Sequence, residues 1–265
     1  MVLSVESITH DLRRIGVRPG ATVMVHASLR RIGATEHDAD AVITAMDDAV
    51  GPDGTWLMVL GARGPWAWVN AHPPEDRAEL LADAPAFDKD STPADPDVGA
   101  LAEVFRRAPG TVVNDHPDAR FGARGHRAHA LLTDLPWDDY YGVDSVLDRF
   151  VSSDGQVLRL GADPDTVTLL HHAEYLCELP GKRRVTRHHR VMGTDGQPVV
   201  RSVSCLDDTD GIVEWPSGDY FTDVLDDYLS AGAGSRRLVG GASSELLEAA
   251  DLLHFAVEWM NHNLV

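Results

Sequence analysis

The feature that most constrains this chain is an alternation of amphipathic helical segments with short β-rich runs. Apolar side chains recur at helical spacing in residues 4–15, and the same pattern returns in residues 38–50. Each segment ends near glycine or proline, and a short apolar run follows it, at residues 22–25 and 55–60. An amphipathic helix followed by a buried strand is thus indicated twice in the same order, which predicts an α/β fold.

Two regions interrupt this alternation. Residues 61–97 are rich in glycine, proline and aspartate. A loop of this length inside a compact domain is usually functional or disordered. Because Trp66 and Trp68 can anchor it, we predict an ordered loop over the site; the alternative is that the tryptophans only pin the loop to the core. Residues 116–125 have the composition of a glycine-rich turn segment. Its two cations, Arg120 and Arg124, either hold phosphates, or are solvated or paired with nearby acids.

The end of the chain returns to regular patterns. Residues 190–192 and 198–205 predict two strands joined by a hairpin turn. Further on, residues 237–239 predict a strand. We expect a C-terminal helix over residues 243–261, with Ser243 as its N-cap.

The chain is strongly acidic. Its 23 Lys and Arg against 42 Asp and Glu give a formal net charge of −19. Nucleic acids and anionic membranes bind cationic protein surfaces, so both are disfavoured as partners. A cleft lined with carboxylates would instead attract a cationic ligand, unless the acidity serves only solubility. The first turns contain acidic and polar residues and no run approaches a membrane span, so we expect a cytoplasmic protein.

The segment 163–179 carries the main candidate for chemistry. An apolar run ends at Gly161, a polar turn follows, and an apolar helical pattern then begins. On a helix, His171 and Glu174 are three residues apart and share one face. A base beside a carboxylate at the mouth of a strand–turn–helix unit is placed for proton transfer. His172 projects about 100° away around the helix, so we leave it out of the pair.

Two other interpretations of this pair are open from the spacing alone. A partly buried histidine that only completes a hydrogen bond would have the same spacing. A metal site is the other interpretation, because a histidine and a glutamate three residues apart occur in carboxylate–histidine metal centres. The HExxH arrangement is missing, and no spacing singles out His188 or His189 as a third ligand. The two cysteines, Cys177 and Cys205, form no CxxC pair, which excludes a zinc ribbon.

Five motifs, in one order along the chain, resemble the aminoglycoside 3-N-acetyltransferase family, which is unrelated to the GNAT acetyltransferases. They are VMVHASL at residues 23–29, HPDARFGARG at 116–125, Ser145 with Arg149 and Phe150, the segment from Gly161 to Glu174, and residues 180–186. The resemblance implies a single domain over residues 1–265, with a central mixed β-sheet flanked by helices and long ordered loops over the site. It also implies acetyl-coenzyme A as co-substrate and no metal.

The same resemblance implies roles for individual residues. His171 would be the general base that takes a proton as the substrate amine attacks the thioester, and Glu174 would orient or charge-balance its imidazole. The implied acceptor is the 3-amino group of a 2-deoxystreptamine aminoglycoside, with direct transfer and antibiotic resistance as the result. Contacts with coenzyme A are implied for His26, Ala27, Ser28, Leu29 and Ser145, and contacts with the cationic substrate for Asp165, Asp208 and Trp66.

The chain departs from the family pattern in regions that face the substrate. Arg120 stands where the family often has serine, and Val146 follows Ser145 where proline is frequent. Ser202 and Ser204 replace acids. The accepted aminoglycosides are therefore open, and two alternatives remain: an acetyltransferase of another small amine, and a drug- or coenzyme A-binding protein without turnover. Among protein partners, a homodimer is the expectation.

Overall fold

A mixed seven-stranded β-sheet forms the centre of the computed structural model, which describes residues 2–35, 38–61, 69–209, 211–216 and 218–264. The strands in chain order are β1 (Thr22–Ala27), β2 (Thr55–Val59), β3 (Val112–Val113), β4 (Phe121–Gly125), β5 (Gln156–Leu160), β6 (Arg184–Met192), β7 (Pro198–Leu206), β8 (Ser235–Val239) and β9 (Ala242–Glu248). The central sheet has the order β3-β4-β2-β1-β5-β9-β8, and β6 and β7 form a separate antiparallel pair. The predicted α/β fold with a central mixed sheet is confirmed.

Helices cover both faces of the central sheet. They are α1 (Val5–Ile15), α2 (Leu29–Ile32), α3 (Asp38–Val50), α4 (Pro74–Asp83), α5 (Ala100–Arg107), α6 (Ala128–Leu132), α7 (Val146–Ser152), α8 (Leu170–Leu176), α9 (Tyr220–Ser230) and α10 (Ala249–Asn263). Successive strand residues point to opposite faces. Val23 and Val25 therefore join a core with α1, α3 and α5. Met24 and Val157 join a second core with α6 to α10. No helix in the described ranges is both long enough and apolar enough to cross a membrane.

The arrangement of the parallel strands determines where a ligand can bind. β1 pairs in parallel with β2 on one side and with β5 on the other. The chain thus continues to opposite sides of β1, and in open α/β sheets this reversal leaves a crevice beyond the carboxyl ends of the strands. Gly161 ends β5 at this edge with a positive φ of 64°, and a Cβ there would lie 3.0 Å from side-chain atoms of Ala242 and Arg31. Glycine is therefore the residue that fits the turn toward α8.

The prediction of a C-terminal helix that begins at Ser243 is wrong. Residues 242–248 form β9, which pairs antiparallel with both β5 and β8. Leu246 and Leu247 are buried in opposite cores, as expected for an inner strand covered on both faces. The helix, α10, begins only at Ala249. A short apolar run that is buried on both sides has no period that distinguishes a strand from a helix, so the sequence pattern misled us here.

Two further predictions for the first half of the chain are corrected. The region 61–97 is not a loop throughout, because α4 lies within it. The segment 116–125 is not only a turn, because its second half is β4, which pairs with β2 and β3. Arg120 precedes this strand and is fully buried. Its guanidinium donates to the carbonyl oxygens of Lys89 and Thr92, both at 2.7 Å, so it fastens the long loop and does not bind phosphate.

The small sheet of β6 and β7 confirms the predicted hairpin, although β6 begins at Arg184, six residues before the predicted start. Phe87 joins β6 to the long loop, since its N–H donates to the Arg190 carbonyl and its carbonyl accepts from Met192, both at 2.8 Å. Nε2 of His189 lies 2.8 Å from Oδ2 of Asp118, in the turn before β4. The second sheet is thus fastened to two loops that follow the carboxyl edge of the central sheet.

Candidate active site

A cavity of about 470 Å³ lies at the carboxyl ends of β1 and β2. Its walls come from the turn after β1, from residues 97–100 and from the turn between β5 and α8. His171, in the first turn of α8, closes one side. This is the crevice that the strand order predicts, and it contains the histidine that the sequence pattern singled out.

The predicted pair is formed at hydrogen-bond distance. Nδ1 of His171 lies 2.7 Å from Oε2 of Glu174. The Glu174 side chain is 2% exposed, whereas that of His171 is 21% exposed. Because a buried carboxylate is an acceptor for Nδ1–H, the bond favours the tautomer in which Nε2 carries the free lone pair. That arrangement has the geometry of a general base oriented by a carboxylate.

The charge of Glu174 also sets the protonation of His171. Burial by itself disfavours the imidazolium, but the nearby carboxylate and its hydrogen bond outweigh this, and the pKa of His171 is raised above its ordinary value of 6.5. The ring is held between two aromatic side chains. Tyr141 stacks on it with ring centroids 5.1 Å apart and planes 8° apart, and Phe221 meets it edge-on at 4.8 Å. The imidazole therefore has little freedom to rotate.

The segment 26–29 lines the same cavity as His171. His26, Ala27, Ser28 and Leu29 follow the end of β1 and all contribute to the wall. Burial, with the charge of Arg159, lowers the pKa of His26 to about 4, so this ring is neutral. Its Nε2 is buried without a hydrogen-bond partner among the described residues. The neutral His26 ring thus lines the cavity, although its Nε2 atom itself is shielded from the cavity space.

The remaining predicted contacts fall into different places. Asp165 lines the cavity. Asp208 does not appear in its wall, and both of its oxygens bind within the protein, Oδ1 to Arg187 at 2.6 Å and Oδ2 to the Tyr140 hydroxyl at 2.8 Å. Ser145 is buried and caps α7 by accepting from the N–H of Asp148, away from the cavity wall, so its coenzyme contact stays a prediction. Trp66 lies outside the described residues.

Three aromatic residues around the pair were missed by the sequence analysis, and one of them is Phe221, which meets the His171 ring edge-on. Tyr220 donates its hydroxyl hydrogen to Oε1 of Glu174. Tyr141 provides the ring that stacks on His171. Tyr141 lies in an aromatic segment that the sequence shows, but nothing in its spacing connects it with His171. No local signal links Tyr220 to Glu174, because 46 residues separate them.

The metal interpretation depends on a cluster of ligands. Within the described ranges, no group of three or more His, Cys, Asp or Glu side chains is arranged to hold a metal ion. The two histidines considered as a third ligand have other partners. His188 binds the Ser202 hydroxyl at 2.8 Å, and His189 binds Asp118.

The fold and the site together define a class of protein. A mixed α/β sheet has a crevice at its parallel strands, and a carboxylate-bound histidine lies in the wall of the cavity there. This layout fits an enzyme that removes a proton from a bound ligand. The family model described as aminoglycoside 3-N-acetyltransferase matches residues 24–261. The chain belongs to this family.

Individual relatives agree with this assignment. Aminoglycoside N(3)-acetyltransferase VIII of Streptomyces fradiae is 40% identical over 269 residues, which are 97% of this chain and 91% of the relative. The structure of AAC-IIIb as a binary with CoASH superposes with a TM-score of 0.92 at 34% identity, covering 99% of this chain and 97% of that chain. The structure of AAC-VIa bound to sisomicin also superposes with a TM-score of 0.92, at 35% identity, covering 99% of this chain and 98% of that chain.

Proposed function

We propose that this protein transfers the acetyl group of acetyl-coenzyme A to the 3-amino group of a 2-deoxystreptamine aminoglycoside, which would confer antibiotic resistance. The observation that carries the proposal is the bond from His171 Nδ1 to Glu174, made by a ring whose other edge faces the cavity. The names of the relatives supply the substrate class. The bound ligand of one structural neighbour, CoASH, supplies the acyl carrier.

In the proposed reaction, the amine nitrogen attacks the thioester carbonyl carbon. Nε2 of His171 accepts the proton that the nitrogen loses, and Glu174 stabilises the imidazolium that forms. The tetrahedral intermediate then collapses, the carbon–sulfur bond breaks, and the imidazolium returns its proton to the sulfur. The products are the acetamide and the coenzyme A thiol. Both substrates must occupy the cavity together, since no acyl-enzyme stores the acetyl group.

We assign the coenzyme A arm to the part of the cavity lined by residues 26–29. Hydrogen-bond donors and acceptors stand close together there, among them the Ser28 hydroxyl and the neutral His26 ring. An amide-containing arm such as pantetheine needs this kind of partner. Ser145 is retained as a proposed contact for a more distant part of the coenzyme.

The aminoglycoside would approach His171 from the acidic side of the site. Asp165 in the cavity wall is the proposed contact for an ammonium group. Asp208 is a weaker candidate on geometric grounds, because Arg187 and Tyr140 already occupy its carboxylate. Trp66 stays in the proposal from the sequence alone. The net charge of −19 favours a polycationic ligand in general.

A thiol-release assay tests the function. Purified protein is mixed with acetyl-coenzyme A and matched aminoglycosides that have a free or a chemically acetylated 3-amino group. We expect thiol release only with the free amine, and a product whose mass has increased by one acetyl group. Release with simple amines but not with aminoglycosides would favour the small-amine alternative. Calorimetric binding without any release would favour a binding protein and contradict the proposed transfer.

Three broader assignments are part of the same proposal. We propose a single domain over residues 1–265, supported by the continuous central sheet, and expect one cooperative unfolding transition. A cytoplasmic location follows from the source of acetyl-coenzyme A inside cells and is testable by fractionation. A homodimer is proposed from the sequence, and light scattering on the purified protein measures the mass directly.

A further inference from the structure

The carboxylate of Glu174 is held from two sides. Oε2 faces Nδ1 of His171 at 2.7 Å, and Oε1 accepts the hydroxyl hydrogen of Tyr220. The Glu174 side chain is 2% exposed, and Tyr220 is buried as well. Among the described residues, each carboxylate oxygen thus has a protein donor. The donor on Oε1 comes from α9, a different element from α8.

The local structure aims the Tyr220 hydroxyl at Glu174. Tyr220 is the first residue of α9, whose N-cap Asp219 accepts from the N–H of Phe221 at 2.9 Å. The N–H of Ile212 donates to the Tyr220 hydroxyl oxygen at 3.3 Å. With its oxygen used as an acceptor, the hydroxyl directs its hydrogen to the carboxylate. Phe221, the next residue, contacts the His171 ring, so one helical turn supports both members of the pair.

We propose that Tyr220 is a positioning residue for the proton transfer, acting on His171 through Glu174. Tyr220 does not line the described part of the cavity and touches no reacting atom. Its hydroxyl fixes the carboxylate and disperses the negative charge on it. This inference rests on the proposed function, in which His171 is the base.

The charge argument gives a direction for the effect. A carboxylate in a buried site is costly unless donors surround it. When the His171–Glu174 pair is ready to accept a proton it carries one negative charge, and after protonation it carries none. Removing the Tyr220 donor destabilises the charged form more than the neutral form. The pair then holds a proton up to a higher pH, whichever of the two residues carries it.

Other groups also face this pair. Asp208 favours the imidazolium of His171, and Arg187 disfavours it. Lys182 donates to the main-chain carbonyl of Glu174 at 2.7 Å. Sγ of Cys177 donates to the same carbonyl oxygen at 3.3 Å. Replacing the tyrosine by phenylalanine leaves all of these groups in place, so a change in titration reports the lost hydroxyl.

The experiment compares Tyr220→Phe with Tyr228→Phe. Tyr228 is a matched control, because it is a buried tyrosine of the same helix whose hydroxyl donates to a carboxylate, that of Asp251, at 2.6 Å. We expect Tyr220→Phe to lower kcat about tenfold, as for a hydrogen bond to a charged group, with the KM for acetyl-coenzyme A unchanged. The acid limb of the kcat–pH profile of Tyr220→Phe should move to higher pH. Tyr228→Phe should keep the kcat and pH profile of the parent protein.

An NMR titration keeps the test independent of turnover. The imidazole signal of His171 is identified as the one missing from His171→Ala, and its midpoint is measured in each variant. A higher midpoint in Tyr220→Phe than in the parent supports the inference, and an unchanged or lower midpoint overturns it. If the parent protein released no thiol, the proposed transfer would fail while this titration still decided the role of Tyr220.

A second variant covers the case in which Tyr220→Phe does not fold. Site-specific 3-fluorotyrosine at position 220 keeps the ring and the hydroxyl but makes the hydroxyl a stronger donor. The His171 midpoint should then move in the opposite direction, to lower pH. A midpoint that does not move to lower pH would contradict the inference.

Discussion

Two carboxylates in this protein, the buried Glu174 and the partly buried Asp118, each bind a histidine at nearly the same distance, yet the two histidines have different surroundings. Nδ1 of His171 lies 2.7 Å from Glu174, and Nε2 of His189 lies 2.8 Å from Asp118. The His171 side chain is 21% exposed and lines the cavity, whereas that of His189 is 1% exposed. Nδ1 of His189 is buried and has no hydrogen-bond partner among the described residues.

The difference separates the pair that we propose as the catalytic base from a pair that only joins two elements of the fold. The bond orients the ring in both cases, but only His171 presents its second nitrogen to a space that a ligand can enter. The His189 pair joins β6 to the turn before β4, and neither of its residues lines the described part of the cavity that contains His171. We therefore assign chemistry to the first pair and fold stability to the second.

The largest expected effect separates the two histidines by activity. His171→Ala should lower kcat about 100- to 10,000-fold, because a general base contributes this much to turnover. His189→Ala should keep most of the parent kcat at a temperature where it is folded. Thiol release under saturating substrates measures both. Comparable kcat values in the two variants would contradict the assignment.

The second effect separates the same residues by stability. His189→Ala should lower the free energy of unfolding by about 2 kcal/mol, because the partly buried Asp118 carboxylate would lose the His189 donor. His171→Ala should lower it less, because Tyr220 still donates to Glu174. Urea unfolding followed by circular dichroism measures the difference. Equal losses in the two variants would remove the contrast between the pairs.

The third effect is a pH dependence. In the proposed reaction His171 accepts a proton only when neutral, and its pKa is raised above 6.5, so kcat should fall as pH decreases through a value above 6.5. Because the folded-state pKa is the higher one, the contribution of this group to stability is complete below the unfolded pKa and is lost as pH rises through the folded pKa. Glu174→Gln should move the acid limb of kcat to lower pH. An acid limb that stayed in place would show that Glu174 does not set the protonation of His171.

The smallest effect concerns Asp165, an exposed acid that lines the same cavity as His171. Asp165→Asn should raise the KM for an aminoglycoside about two- to fivefold at low salt, since an exposed ion pair contributes little free energy. The change should diminish as salt is added. Asp53→Asn, in a turn at the opposite edge of the sheet, serves as the control. A KM increase of the same size in the control would show that net charge alone is responsible.

Much of the fold follows from local patterns in the sequence. The alternation of α1, β1, α3 and β2 was predicted because amphipathic periods and the turns between them are local features. The His171–Glu174 pair was predicted for the same reason, since residues three apart on a helix share a face whatever surrounds it. One turn of α8 is therefore enough to bring the two side chains together.

Contacts between distant residues were decided only by tertiary structure. β9 was predicted as a helix because its buried positions depend on β5 and β8, which pair with it on either side. Arg120 was considered for phosphate because its carbonyl partners belong to a loop about 30 residues earlier in the chain. Tyr220 reaches Glu174 across 46 residues. A helical backbone brings residues three apart together by its own hydrogen bonds, whereas packing of the whole chain must bring α9 to α8.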